Sequence, residues 1–330
     1  DGRWIAYAAS DVPPTWAAAQ RVQVAPAAGG APRALGLTFD EQPAIVGWAA
    51  DGLQLYVAET RRTRSVLAAL PVAGGPATDV LAPAEGVVGG LSLGGPQGGI
   101  AAFVGQAADR PPEAFISPLA RWQPVQVSRT NADAIPSPVG RTEVVRWRAP
   151  DGMEVEGLLT YPANYQRGAR VPLIVLIHGG PTGVFVESFV GSPGLYPIAA
   201  WGSQGWAVLR PNPRGSSGYG RRFRHANSAD WGGGDYSDIM AGVDHAIRLG
   251  VADSTRLGVT GWSYGGYMTS WIITQTRRFH HQGGVGQAGN VHFGLTGAHR
   301  LDQHQVETGR IEDLGQGGRG HRTDPPRARG

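Results

Sequence analysis

Ser263 lies between two glycines in the segment Gly261-Trp262-Ser263-Tyr264-Gly265, and this short motif limits the fold more than any other part of the sequence. Residues 256–260 before it have the composition of a buried strand, whereas Met268, Trp271 and Ile272 recur at helical spacing after it. Ser263 is therefore predicted to lie in a sharp turn between a strand and a helix, where glycines let the chain close without a clash.

The same Gly-x-Ser-x-Gly pattern also occurs at Ser92, so its surroundings must decide between the two serines. With 51 glycines in 330 residues, about 0.4 chance matches to such a pattern are expected in a shuffled sequence, so the pattern alone is weak evidence. Gly95-Pro96 follows Ser92, and proline blocks the helix that the turn requires. The candidate nucleophile is therefore Ser263.

The segment before Ser263 contains the other elements of a parallel sheet covered by helices. Asp151-Gly152 predicts the tight turn of a β-hairpin. Two apolar runs, 172–177 and 206–210, are typical of strands buried on both faces. Residues 236–249 place apolar side chains on one helical face, and Gly250 ends that helix. This order of elements, ending in strand, nucleophile and helix, predicts an α/β-hydrolase fold.

Residues 1–135 are predicted to be all-β, because short strands alternate with Gly, Pro and Asp turns and two strand patterns repeat. The first pattern occurs three times and the second twice: 3–7, 53–57 and 100–104, then 21–24 and 66–70. A period of roughly 45 to 50 residues predicts about three blades of a β-propeller. A β-sandwich is the alternative.

Acyl transfer also needs hydrogen-bond donors that face the oxygen on which negative charge develops. One donor normally comes from the loop after the third strand, here His178-Gly179-Gly180-Pro181. We assign one donor to the backbone N–H of Gly180 and the other to that of Tyr264, although an ordinary Gly-Pro turn is the alternative for the loop. His178 is predicted to have a structural role, because the base follows the nucleophile along the chain in this fold.

Composition and charge argue against several other classes of function. The formal net charge of +3 arises from residues 277–330, with 8 arginines against 5 acidic residues, so no nucleic-acid partner is expected. No apolar run approaches the roughly 20 residues that span a bilayer, and no membrane partner is expected. Cysteine is absent, and Asp235 and Asp238 fit the start of a helix better than a metal site, so neither metal nor cofactor is expected. The chain starts at Asp1, which we interpret as an internal start of a cytoplasmic protein.

Together these blocks resemble the prolyl oligopeptidase family of serine peptidases, and the loop 178–181 resembles its acylaminoacyl-peptidase and dipeptidyl-aminopeptidase-like branch. The resemblance implies a partial propeller in 1–135 before an α/β-hydrolase domain in 141–278 that is incomplete at its C-terminal end. It further implies hydrolysis of short peptides through an acyl-enzyme on Ser263, with an oxyanion hole from Gly180 and Tyr264. An esterase or lipase, or a noncatalytic peptide-binding fragment, are the alternatives.

Residues 279–330 depart from the family pattern, because they are rich in glycine, contain six of the nine histidines and have no apolar run. No buried strand is predicted there, and we hypothesise a reading-frame slip near Arg278 or Phe279, with a natural disordered tail as the alternative. The triad acid and base are predicted to be missing and the chain to have little peptidase activity. Poor candidates for the base are His280, His281, His292, His299, His304 and His321, and poor candidates for the acid are Asp302, Asp313 and Asp324.

Overall fold

A computed structural model describes most of the first 285 residues of the chain. The described residues are 2–10, 17, 19–81, 86–95, 98–132, 138–192 and 194–285. All of them belong to one compact unit, residues 1–294. Within this part of the chain, no helix has the length and hydropathy of a membrane-spanning segment.

Three antiparallel sheets, called the N-terminal sheets below, form the first part of the chain. The first sheet contains β1 (Trp4–Ser10), β2 (Gln20–Pro26) and β3 (Arg33–Ala34). The second contains β4 (Ala44–Trp48), β5 (Gln54–Arg61), β6 (Arg64–Pro71) and β7 (Thr78–Leu81). The third contains β8 (Val87–Gly94), β9 (Ile100–Ala107), β10 (Arg110–Pro118) and β11 (Val125–Gln126). In each sheet the strands are neighbours in chain order, as in propeller blades.

The repeats in the sequence correspond to equivalent strands of these sheets. The first pattern forms β1, β5 and β9, and the second forms β2 and β6. Strand β6 explains how the sheets pack, because successive side chains of a strand point to opposite faces. Its Val66 and Leu70 join the core toward the first sheet, and Leu67 joins the core toward the third. Each sheet therefore buries its apolar face against the next one.

A six-stranded sheet follows, with the strand order β12-β13-β15-β14-β16-β17. Its strands are β12 (Thr142–Arg148), β13 (Glu154–Thr160), β14 (Val171–Ile177), β15 (Ala207–Asn212), β16 (Ala252–Trp262) and β17 (His281–Val285). The first two strands form the predicted antiparallel hairpin, and β14, β15, β16 and β17 are parallel. The carboxyl ends of the four parallel strands therefore lie at one edge of the sheet, where open α/β sheets bind ligands.

Four helices accompany this sheet: α1 (Ile198–Ser203), α2 (Arg221–His225), α3 (Gly234–Arg248) and α4 (Tyr264–Gln275). On one face, α3 and α4 cover side chains such as Leu173 and Val175 of β14. On the other face, Leu176 of β14 packs with Ile198 and Trp201 of α1. Because both faces of the central strands are covered, the continuous apolar run of β14 is accounted for.

Two elements were not predicted from the sequence. Helix α2 has only five residues and no apolar periodicity, so no pattern announces it. Strand β17 lies beyond Arg277, where no buried strand was predicted, and its Gln282-Gly283-Gly284 segment contains no apolar run. Its place in the sheet follows from backbone pairing with β16, with Gly258 opposite His281 and Trp262 opposite Val285.

Candidate active site

Ser263 occupies the single residue between the end of β16 and the start of α4. Its backbone has φ 58° and ψ −122°, a conformation that residues with a side chain rarely adopt and that costs on the order of 1–3 kcal/mol. The backbone N–H groups of Gly266 and Tyr267 donate to the Ser263 carbonyl at 2.9 and 3.0 Å and begin the helix. By contrast, Ser92 lies within strand β8, and the structure places it in no such turn.

The two glycines of the motif are required because β14 passes too close for any side chain. A Cβ atom added to Gly265 would lie 2.1 Å from the Ile177 carbonyl oxygen, and one added to Gly261 would lie 2.6 Å from the same oxygen. Contacts below about 3 Å between such atoms do not occur in real structures, so Gly261 and Gly265 allow the strand-to-helix turn to form against the end of β14.

The loop after β14 runs past Ser263, and we call residues 178–190 the β14 loop. A Cβ atom added to Gly179 would lie 3.4 Å from the Cβ atom of Ser263. The next residue, Gly180, has φ +127°, and a Cβ atom there would lie 2.3 Å from the Thr182 nitrogen. The structure thus brings both the β14 loop and the start of α4 next to Ser263.

The two predicted oxyanion donors belong to these flanking segments. Tyr264 is the first residue of α4, and the first N–H groups of a helix have no acceptor within the helix. Gly180 adjoins the glycine that approaches Ser263. Their assignment as oxyanion donors stays a prediction.

His178 is buried at the start of the β14 loop, and both of its ring nitrogens are engaged by other residues of the protein. Its Nε2 atom lies 3.0 Å from Ser216 Oγ, and its Nδ1 atom lies 2.8 Å from the Gly179 carbonyl oxygen. Burial lowers the pKa of His178 to about 4, because an imidazolium ion is poorly solvated there. The side chain is therefore neutral at pH 7 and holds the loop, as predicted for a structural residue.

This lowered pKa predicts a loss of stability in mild acid. An unfolded histidine takes up its proton near pH 6.5, whereas the folded protein resists protonation of His178 down to about pH 4. Stability from this residue is thus complete above pH 6.5 and falls by about 1.4 kcal/mol per pH unit below it. We expect urea unfolding to show this slope in the parent and a flatter one in His178→Gln. Equal slopes in the two proteins would contradict the assignment.

A buried carboxylate of α3 supports the turn at Ser263. Asp235, in the first turn of α3, accepts the Tyr264 hydroxyl at 2.5 Å and the N–H groups of Gly232 and Tyr236 at 2.8 Å. Burial raises the pKa of Asp235, and burial also raises the pKa of the Tyr264 phenol. The side chain of the residue next to the candidate nucleophile is thereby fixed. The sequence predicts that Asp235 lies at the start of a helix and does not indicate its hydrogen bond to Tyr264.

Asp238 binds Arg214. The Arg214 backbone N–H, Nε and Nη2 donate to its carboxylate at 2.8, 2.9 and 2.8 Å. Both acidic side chains that were considered as metal ligands are therefore engaged by protein donors. Within the described ranges, no cluster of three or more potential metal ligands is present.

A triad base and acid are not identified near Ser263. No hydrogen bond in the described part of the chain joins the Ser263 side chain to a histidine, and His245 packs on the Trp147 ring instead. The His280 backbone N–H donates to the Leu257 carbonyl at 3.0 Å. Several of the poor candidates named above lie outside the described residues: His292, His299, His304, His321, Asp302, Asp313 and Asp324.

Comparison with known proteins agrees with this geometry. A sequence model described as the prolyl oligopeptidase family matches residues 196–315, a range that includes Ser263 and extends beyond residue 278. An uncharacterized peptidase, YuxL of Bacillus subtilis, is 38% identical over 172 residues, which cover 52% of this chain and 25% of that protein. Dipeptidyl-peptidase 5 of Schizosaccharomyces pombe is 38% identical over 122 residues, covering 37% of this chain and 17% of that protein. The chain thus spans a quarter or less of these relatives.

The fold of this chain is also similar to that of solved peptidase structures. An acylaminoacyl peptidase of Pyrococcus horikoshii superposes with a TM-score of 0.65 at 24% identity, covering 80% of this chain and 40% of that one. At this identity the likeness concerns the fold, which combines N-terminal propeller sheets with an α/β-hydrolase sheet. The family model includes the strand-turn-helix at Ser263, and the two relatives are peptidases. Over residues 196–315 the chain is therefore similar to the prolyl oligopeptidase family, and the relatives that it matches are peptidases.

Proposed function

We propose that Ser263 is the acyl acceptor of a serine peptidase that hydrolyses short peptides. The observation that carries the proposal is the strained turn at Ser263, with the β14 loop close enough that a Cβ atom on Gly179 would lie 3.4 Å from Ser263 Cβ. Ser263 is half-buried. A nucleophile held at a strained turn beside backbone donors is the arrangement that acyl transfer requires.

In the proposed reaction, Ser263 Oγ attacks the carbonyl carbon of the scissile bond and transfers its proton to a base. The carbonyl oxygen becomes negative and accepts hydrogen bonds from the backbone N–H groups of Tyr264 and Gly180. The amine then leaves with a proton, and water hydrolyses the acyl-enzyme in the same way. Tyr264 donates its hydroxyl to Asp235 at 2.5 Å, which supports the position of its backbone N–H.

Among the described residues, no general base is hydrogen-bonded to Ser263. A serine hydroxyl is a weak nucleophile without one, and a positioned general base contributes on the order of 10²- to 10⁴-fold to the rate. No histidine among the described residues is hydrogen-bonded to Ser263, and His178 is neutral and bound to Ser216. We therefore propose that this chain, as written, has little or no peptidase turnover.

The proposed substrate class is the short peptide. The similarity to the prolyl oligopeptidase family supports a peptide bond as the target, and the name of the Schizosaccharomyces pombe relative specifies a dipeptidyl peptidase. The second N-terminal sheet lies against a loop of the six-stranded sheet, as the hydrogen bond from the Arg62 N–H to the Gly218 carbonyl at 2.6 Å indicates. Such a neighbouring domain would favour short peptides by limiting access of folded proteins.

Hydrolysis of fluorogenic dipeptidyl and N-acetylated aminoacyl amides tests this proposal in the parent chain and in Ser263→Ala. We expect turnover in the parent to be no faster than in the variant. Parent turnover at rates typical of serine hydrolases, lost in Ser263→Ala, would contradict the proposal that the base is missing and would support Ser263 as the nucleophile. Measurable turnover that survives in Ser263→Ala would overturn the nucleophile itself. Circular dichroism of both proteins checks that the fold is unchanged.

A further inference from the structure

The β14 loop is fastened at Phe185 by a side chain from a neighbouring strand. The Phe185 N–H donates to Asn212 Oδ1 at 2.7 Å, and Asn212 Nδ2 donates to the Phe185 carbonyl at 2.9 Å. Asn212, the last residue of β15, is fully buried. The Phe185 ring also packs edge-on to His178, with ring centroids 5.3 Å apart. The orientation of one buried amide therefore helps to hold the loop that contains Gly180.

That amide is oriented by a chain of buried hydrogen bonds. Asn212 Nδ2 also donates to the Tyr219 hydroxyl at 3.0 Å, and this hydroxyl donates to Glu156 Oε1 at 2.9 Å. Burial and the nearby Glu156 carboxylate raise the pKa of Tyr219, so that the phenol stays protonated and remains a donor. Glu156 itself is only 1% exposed. Buried polar networks of this kind hold their members in one arrangement.

This series of hydrogen bonds ends at a residue of the second N-terminal sheet. Arg62 lies in the turn between β5 and β6, and its Nε and Nη2 atoms donate to Glu156 Oε2 at 3.0 and 2.8 Å. Arg62 has φ 57°, a strained conformation for a residue with a side chain, and its N–H donates to Gly218 at 2.6 Å. The contact thus joins a hairpin of the N-terminal sheets to the interior of the six-stranded sheet.

The same hairpin reaches the β14 loop a second time, directly. The Thr63 hydroxyl donates to Glu187 Oε1 at 2.7 Å, and Arg64 Nε donates to the same oxygen at 3.0 Å. The Glu187 N–H in turn donates to the Thr63 carbonyl at 2.9 Å. We call Arg62, Thr63 and Arg64 the hairpin tip. It holds the β14 loop both at Glu187 and, through Glu156 and Tyr219, at Phe185.

We propose that the hairpin tip positions the β14 loop, so that Arg62, Tyr219 and Asn212 are positioning residues for the donor at Gly180. This inference rests on the proposed function, in which Gly180 binds the oxyanion. It predicts that the N-terminal sheets act on the reaction itself as well as on access to the site, because a shift of the tip is transmitted to the loop beside Ser263. None of these three residues needs to touch the substrate.

Tyr219→Phe tests the proposal, since it removes the hydroxyl that connects Glu156 to Asn212 and keeps the ring. Tyr161→Phe is the matched control, because its hydroxyl donates to Glu143 at 2.7 Å in the same sheet without reaching the β14 loop. Native-state hydrogen exchange is measured at the Phe185 amide. We expect exchange about three to ten times faster in Tyr219→Phe, the factor that one lost hydrogen bond gives, and no change in the control.

A second readout separates positioning from simple structural support. Phosphonylation of Ser263 by a fluorophosphonate in imidazole buffer should slow by a similar factor in Tyr219→Phe and in Arg62→Ala, with amide exchange in β16 unchanged. Unchanged exchange at Phe185 in both variants would overturn the proposal, and so would a normal labelling rate despite faster exchange. If Ser263 of the parent protein is not phosphonylated at all, the proposed function is contradicted. Hydrogen exchange at the Phe185 amide then still tests whether the hairpin tip positions the β14 loop.

Discussion

Gly265→Val is expected to destabilise the protein by at least about 3 kcal/mol, because the new side chain has no space. Its Cβ atom would lie 2.1 Å from the Ile177 carbonyl oxygen and 3.0 Å from that of His178. Both contacts are with backbone atoms of β14 and its loop, which cannot move without separating β14 from β16. Urea unfolding monitored by tryptophan fluorescence measures the loss.

Gly94→Val provides the control for this substitution. Gly94 lies at the end of strand β8, and a Cβ atom there has no atom within 4 Å, in contrast to one on Gly265 at the start of helix α4. We expect its free energy of unfolding to change by less than about 1 kcal/mol, as for ordinary surface substitutions. Equal destabilisation by the two valines would contradict the close approach of β14 to the motif.

Arg224→Met is expected to cost about 3–5 kcal/mol, because it leaves buried carboxylates without their cation. Arg224 is fully buried, and its Nη1 atom lies 3.1 Å from the Asp40 carboxylate. Asp40 also accepts the Gly220 N–H at 2.8 Å, and its own N–H donates to buried Glu59 at 3.1 Å. The pair thus connects the N-terminal sheets to α2.

The matched control is Arg256→Met, since Arg256 pairs with Asp253 at 2.7 Å on the surface, where its side chain is 51% exposed. Exposed pairs of this kind contribute about 0–1 kcal/mol. Adding Asp40→Asn to Arg224→Met should recover part of the loss, because the unpaired charge is then removed. A single Arg224→Met variant as stable as Arg256→Met would contradict a buried pair between the two parts of the chain.

Much of the fold could be predicted because buried strands have apolar runs in the sequence and equivalent strands have repeated patterns. The apolar run that forms β14 and the repeated patterns that form β1, β5 and β9 follow from strands buried on one or both faces. The turn at Ser263 could be predicted from the glycines on both sides of it. They are needed because a Cβ atom on Gly265 would lie 2.1 Å from the Ile177 carbonyl oxygen of β14. Strand β17 was missed because backbone pairing, with no apolar run, places it.

The supporting contacts of the site could not be predicted, because they join residues far apart in the chain. Tyr264 and Asp235 are 29 positions apart, and Tyr219 and Glu156 are 63 apart. Arg62 and Glu156 are separated by 94 positions and by the boundary between the two kinds of sheet. Single polar residues in loops carry no periodicity, so only the folded arrangement reveals which of them meet. The sequence therefore indicated which loops border the site, and it did not indicate which of their side chains form hydrogen bonds with each other.

The most direct test of the central claim, that Ser263 is a nucleophile with its donors in place but without a bound base, is adduct mapping. The chain is treated with a fluorophosphonate, with and without imidazole, and the modified residue is located by peptide mass spectrometry. Ser92 is an internal control, since it has the same Gly-x-Ser-x-Gly pattern inside strand β8. We predict an adduct on Ser263 alone, formed at least about tenfold faster with imidazole. An adduct on Ser92, no adduct on Ser263 in imidazole, or full-rate labelling without imidazole would contradict the account.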